Sequence, residues 1–122
     1  AAVADFTPKL MTDSKIKREK GCMDLQLVPT HDIAAELGKR KREDQKLVGF
    51  ALETDNEEAN ALHKLEKKNL DFIVLNSLKD KGAGFAVDTN KISIISKTSV
   101  KEYPLKPKRE VARDIIDALC CL

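Results

Sequence analysis

Aromatic residues are scarce: the 122 positions hold four phenylalanines and one tyrosine. A platform that stacks unpaired nucleobases draws on several such rings, so the chain is poorly supplied for that task. Charge of one sign is also missing. Its 22 basic and 20 acidic residues leave a formal net charge of +2, too balanced for nucleic-acid binding by bulk electrostatics. Basic residues do cluster locally, at Lys15–Lys20, Lys39–Arg42 and Lys64–Lys68. No apolar run approaches the roughly 20 residues that cross a bilayer, and no basic-then-apolar leader is present, so no membrane association is expected. The three cysteines, Cys22, Cys120 and Cys121, show neither metal-ligand spacing nor an even-numbered disulfide framework. A reducing cytoplasm suits them, and Cys120 and Cys121 read as the apolar end of the last helix.

Catalytic signatures are equally thin. No glycine-rich turn follows the first apolar stretch, and no nucleophile-elbow serine, paired catalytic carboxylates or Cys–His pairing stands out. His31 and His63 have no companion ligands, so no metal site is assigned. "GAGF" at Gly82–Phe85 echoes a dinucleotide-binding turn but lacks its third glycine and opens no helix. There is no internal repeat and no low-complexity tract.

What is present is an alternation. With 42% apolar and 34% charged residues, the chain fits one domain with a modest core. Strands are expected over Ala1–Phe6, Asp24–Val28, Lys46–Leu52, Asp71–Asn76 and Lys91–Ser96, with a short one over Ser99–Tyr103. Within them "VGFAL", "FIVL" and "ISII" are apolar runs of the kind that both faces of a covered sheet require. Helices fall between. Thr30 is expected to cap one running to about Arg42, with Asp32 in its first turn. Thr54 and Glu57 form a capping box for one reaching about Asn69, with Leu62 and Leu65 in its buried stripe. A last helix starts near Pro107 or Lys108 and carries Val111, Ile115, Ala118 and Leu119 at core spacing. Lys9–Gly21 and Leu78–Asn90 read as loops, the second long for a compact domain. Strands alternating with helices predict an α/β fold with a largely parallel sheet.

In such sheets ligands bind beyond the carboxyl ends of the strands. Asp5, then Thr30–His31–Asp32, then Glu53–Thr54, then Asn76–Ser77 all fall there. Each has a plain reading as well. Asp5 suits a turn, and Lys15 and Lys17 suit a solvated loop. Lys64 and Lys68 lie four apart on one helical face, where like charges repel slightly and an anion between them relieves the repulsion.

The order of the short motifs is more specific than any one of them. "AAVADF", "KIKR", "VPTHDI", "LVGFALET", "KKNLDFIVLN", "GAGFAVDTNKISII" and "PLKPKREVARDII" follow one another over essentially the whole chain. Together they closely resemble phosphopantothenoylcysteine synthetase, in bacteria usually the C-terminal half of a bifunctional coenzyme A biosynthesis flavoprotein. The resemblance implies a Rossmann-like three-layer sandwich, with residues 1–122 as the back portion of the synthetase domain, truncated at its N-terminus. The glycine-rich turns and the FMN-dependent decarboxylase half then lie outside this chain, and little turnover is expected from it in isolation.

The implied reaction is amide-bond formation driven by CTP with Mg²⁺. 4′-Phosphopantothenate is activated to an acyl-cytidylate, and cysteine displaces CMP. By resemblance Asp5 belongs to the CTP site and Lys15 to nucleotide binding and turnover of the acyl-cytidylate. His31, Asp32, Ile33 and Ala34 match a main-chain nucleotide contact at a helix start, His31 standing where relatives commonly carry proline. Phe50 matches a nucleotide-contacting aromatic, and Lys64 and Lys68 two basic CTP ligands. A homodimer is implied, with Leu78–Asn90 as a candidate contact. The competing reading is a non-catalytic nucleotide-binding or dimerisation module on the same fold.

Overall fold

The computed structural model describes residues 3–18, 22–53, 56–77 and 87–122, and for Glu53 and Ser77 only the backbone. They belong to two units, 1–32 and 33–122.

In the first unit β1 (Phe6–Pro8) and β2 (Leu27–Pro29) pair antiparallel, Phe6 opposite Pro29 and Pro8 opposite Leu27. This corrects two expectations. Regular pairing begins only at Phe6, where the sequence predicted a buried strand from Ala1, and β2 starts at Leu27 instead of Asp24. Val3 and Phe6 are 65% and 57% exposed. Among the described residues of this unit the ribbon has no second layer to pack against, so most of its side chains are exposed. Ala1 and Ala2 lie outside the described residues.

The second unit runs α1 (Ile33–Arg40), β3 (Val48–Glu53), α2 (Glu57–Lys67), β4 (Phe72–Ser77), β5 (Thr89–Asn90), β6 (Ile92–Ser96), β7 (Val100–Glu102), β8 (Lys106–Pro107) and α3 (Lys108–Cys120). Its main sheet has the order β3-β4-β6-β7, and β5 and β8 form a separate two-stranded piece. The sheet is mixed: β3 and β4 are parallel, but β4–β6 and β6–β7 are antiparallel. The largely parallel sheet expected from the sequence is therefore not observed. A parallel neighbour needs a crossover helix, and α2 supplies one between β3 and β4 only. Between β6 and β7 lie just residues 97–99, closed by the Ser96 amide donating to the Ser99 carbonyl at 2.9 Å.

Side-chain alternation divides the core between the two faces. Ile73, Leu75, Ile95 and Ala51 pack with Ala61 and Leu65 of α2 and with Leu70. Phe72, Val74, Ile92 and Ile94 pack with Tyr103 and Val111, flanked by Ile115, Ala118 and Leu119 of α3. Helix, sheet and helix thus form three layers. The run Phe72–Leu75 is apolar throughout because both faces of β4 are covered.

The helix ends also depart from expectation. α1 begins at Ile33 and ends at Arg40, where the sequence predicted Thr30 to Arg42. The Thr30 hydroxyl instead donates to the Ala4 carbonyl. Thr54, the proposed capping residue of α2, lies outside the described residues. The N-cap position holds Asn56, left-handed at φ 45° and without a side-chain cap bond. α2 ends at Lys67 in a Schellman arrangement. The Leu70 amide donates to the Leu65 carbonyl (2.9 Å) and the Asn69 amide to the Glu66 carbonyl (3.2 Å), with Asn69 at φ 50° taking the place usually given to glycine. Cys120 ends α3 and Cys121 caps it, as expected of the end of the last helix, and both are exposed. Among the described residues no helix is long and apolar enough to cross a membrane.

Candidate functional site

In the ribbon, the start of β1 and the end of β2 lie side by side. The Thr30 amide donates to the Asp5 carbonyl at 2.9 Å, and its hydroxyl donates to the Ala4 carbonyl at 2.7 Å. Both bonds hold Asp5 next to the His31–Asp32 step, with the Asp5 and His31 side chains exposed. Lys15 lies in the connection that leaves the other end of the ribbon. The Thr12 hydroxyl bonds the Ser14 carbonyl at 3.1 Å just before it. Asp5 and His31 are thus brought together, and Lys15 lies in the connection between β1 and β2.

In the second unit, Ile33 and Ala34 open α1. The first four amides of a helix have no partner within it and present a partial positive charge. Phe50 sits in the middle of β3 and is 74% exposed. It shares the sheet face of Val48, the face that carries α3. Lys64 and Lys68 lie in the last turn of α2 and at its C-cap, half-buried, and α2 packs on the opposite face. Phe50 and the two lysines are therefore separated by the sheet. The C-terminal end of α2 also lies beside the starts of β3 and β4, because the Asp71 carboxylate accepts the Leu47 amide there. Glu53 and Ser77 end neighbouring parallel strands in register with each other, as do Leu52 and Asn76. Asn76 Oδ1 is buried without a hydrogen-bond partner among the described residues.

Around Lys68 the structure holds residues that motif reading overlooked. Gly38 of α1 is buried, and a Cβ on it would lie 1.8 Å from the Lys68 carbonyl oxygen. Asn69 Nδ2 donates to the Gly38 carbonyl at 2.9 Å. Lys41 Nζ donates to the Asn69 carbonyl and to Asp71 Oδ2, each at 2.9 Å. The signal for this clasp was "KNLD": a helix ended by asparagine, then one apolar residue, then an acid.

Grooves occur elsewhere. One of about 470 Å³ runs between the sheet and α3, past Phe72, Ile94, Lys101, Tyr103 and Asp117. Another of about 150 Å³ lies between the start of α2 and β6, lined by Glu57, Glu58, Lys91 and Ser93. Neither contains a site residue expected from the sequence. No group of three or more His, Cys, Asp or Glu side chains among the described residues could hold a metal.

The family model of the DNA/pantothenate metabolism flavoprotein C-terminal domain matches residues 1–122. The chain belongs to this family. It is 60% identical over 123 residues to a cysteine/cysteine sulfinic acid decarboxylase from an unknown prokaryotic organism, covering 100% of this chain and 34% of that protein. It is 49% identical over 123 residues to the coenzyme A biosynthesis bifunctional protein CoaBC of Bacillus subtilis, covering 100% of this chain and 30% of CoaBC. It also resembles a crystal structure of a CoaBC C-terminal domain, with a TM-score of 0.65 and 42% identity over 77% of this chain and 45% of that one. The chain thus spans about a third of the length of the curated relatives it matches. Membership in the DNA/pantothenate metabolism flavoprotein family agrees with the motif resemblance and with a mixed α/β fold. It also gives a setting to the separation of Phe50 from Lys64 and Lys68, because a chain covering under half of a solved relative presents only part of that relative's surface.

Proposed function

We infer that this chain forms part of a phosphopantothenate–cysteine ligase acting in coenzyme A biosynthesis in the cytoplasm. In the proposed reaction the carboxylate of 4′-phosphopantothenate attacks the α-phosphorus of CTP, which releases pyrophosphate and leaves an acyl-cytidylate. The amine of cysteine then attacks the acyl carbon, CMP departs, and the amine proton is lost to solvent. The chemistry needs a neutralised triphosphate and an aligned carboxylate. Lys64, Lys68 and the amides of Ile33 and Ala34 at the start of α1 are assigned to the anion. Asp5, His31, Asp32 and Phe50 are assigned to the nucleoside, and Lys15 to the reacting phosphate and its acyl-cytidylate. Mg²⁺ enters with the triphosphate, and a homodimer is the proposed assembly.

One observation carries the reading. Thr30 bonds both Ala4 and Asp5, so that two stretches assigned to one nucleotide are neighbours although 26 positions separate Ala4 from Thr30. The test uses the full-length protein with 4′-phosphopantothenate, cysteine and Mg·CTP. CMP release should depend on both co-substrates and match the amide formed, and Lys15→Ala should slow it. CTP turnover that ignores cysteine would refute the ligase reading.

The exposure of Phe50 and its separation from Lys64 and Lys68 favour one second reading, a nucleotide-binding or dimerisation module without chemistry. Tight Mg·CTP binding with no amide product would select it.

A further inference from the structure

Lys68 owes its place to groups that touch no ligand in the account above. α2 could run on past Lys68, since no proline or glycine follows until Gly82, beyond the end of β4. It stops because Asn69 turns left-handed at φ 50°. A lone asparagine tolerates that conformation at modest cost where most residues do not. The turn by itself would leave the C-cap free to shift. Here the Asn69 side chain donates through Nδ2 to the Gly38 carbonyl at 2.9 Å, and Lys41 Nζ holds the Asn69 carbonyl from the other side at 2.9 Å. The contact is close: any side chain at position 38 would meet the Lys68 carbonyl. Gly38 is therefore the stop against which the Lys68 peptide rests, and Asn69 is the hook that keeps it there.

The hook has a second consequence. α1 is 8 residues long, a rod of about 12 Å. Its C-terminal half is fixed to the end of α2 by this clasp, so its first residues, Ile33 and Ala34, are set relative to Lys64 and Lys68 by the same contact.

We propose that Asn69 is a positioning residue for Lys68, acting through its side-chain bond to Gly38, and that it thereby sets the affinity of the site for a nucleotide triphosphate. The proposal rests on the nucleotide reading of Lys68 given above. Asn69 does not touch the ligand. It removes the freedom of a lysine that would otherwise have to be ordered when the anion binds, and pre-organisation of that kind appears directly as affinity.

The test is a double-mutant cycle on the full-length protein, with Mg·CTP affinity measured by calorimetry and unfolding followed in parallel. Asn69→Gly keeps the left-handed turn and removes only the amide, so the melting temperature should stay close to that of the parent. Affinity should fall roughly three- to tenfold, the cost of ordering about one further side chain on binding. In a Lys68→Ala background the same substitution should change affinity by less than about twofold, because the residue it positions is gone. A purely structural role would give the opposite pattern, a lower melting temperature with unchanged affinity, and would overturn the proposal. So would an equal loss in both backgrounds. If Lys68→Ala alone weakens CTP binding while Asn69→Gly does not, the proposal fails and the nucleotide reading survives. If Lys68→Ala has no effect, both fall.

Discussion

Asp71 and Leu47 hold each other twice. The Asp71 amide donates to the Leu47 carbonyl at 2.9 Å, and the Leu47 amide donates to the Asp71 carboxylate at 2.6 Å. Leu47 immediately precedes β3 and Asp71 immediately precedes β4, so the pair sets the starting register of the parallel strands, Val48 opposite Phe72. Lys41 completes the arrangement from the end of α1, 2.9 Å from the same carboxylate oxygen, with its side chain 14% and that of Asp71 17% exposed.

Removing the Asp71 carboxylate leaves a backbone amide and an ammonium group partly covered and without their partner. Asp71→Ala should destabilise the fold by about 2 kcal/mol, read as a lower urea midpoint with an unchanged slope. The effect should also depend on pH. Burial by itself pushes this carboxyl up, but the Leu47 amide, the hydrogen bond from Lys41 and the charges of Lys41 and Lys46 outweigh it and hold it below its ordinary value. A carboxyl held low in the folded chain adds stability at pH above its ordinary range and loses it as pH falls through the folded value. The gap between parent and Asp71→Ala should therefore be widest near neutrality and should narrow below about pH 4. A gap that widens with acid would contradict the assignment.

Gly38 and Gly49 should respond differently to a methyl group. At Gly38 the new Cβ meets a backbone oxygen at 1.8 Å, whereas at Gly49 it meets Leu70 Cδ1, the tip of a side chain, at 2.5 Å. Backbone cannot yield as a leucine tip can. Gly38→Ala should cost about 3 kcal/mol or more and Gly49→Ala about 1 kcal/mol, checked by paired denaturation curves. Equal costs would mean that α1 does not rest on the Lys68 peptide.

Much of the three-layer unit was legible in the sequence. "VGFAL", "FIVL" and "ISII" all became neighbouring strands of the main sheet, because continuous apolar runs are what two covered faces require. Val111, Ile115, Ala118 and Leu119 face the core as their spacing predicted. Strand direction was less legible. It depends on whether a helix or a loop joins two strands, and the long connection after β4 read as a loop, which permits the antiparallel return observed. Asp5 and Thr30 were each singled out, but their contact was not foreseen, since a threonine before a helical pattern reads first as a cap. Of the Gly38–Asn69 clasp only the helix end left a signal, in "KNLD". Nothing in local pattern says that two helix ends will touch.

Buried and exposed isoleucines should be separable by mutation. Ile95 is fully buried and packs on the α2 side, whereas Ile116 of α3 is 55% exposed. Ile95→Ala should cost about 3 kcal/mol and Ile116→Ala well under 1 kcal/mol, measured by thermal or urea unfolding. A large effect at Ile116 would show that the outer face of α3 is covered in solution.

The most direct test of the central claim is a calorimetric titration of the full-length protein with Mg·CTP, run beside a Lys64→Ala/Lys68→Ala variant and repeated with Mg·ATP and Mg·UTP. Two half-buried lysines on an anion are expected to contribute at least tenfold in affinity, about 1.4 kcal/mol. The account predicts CTP-selective binding by the parent that weakens at least that much in the variant, with its melting temperature retained in the absence of nucleotide. Binding of equal strength in parent and variant, or no binding of any nucleotide by the parent, would contradict it.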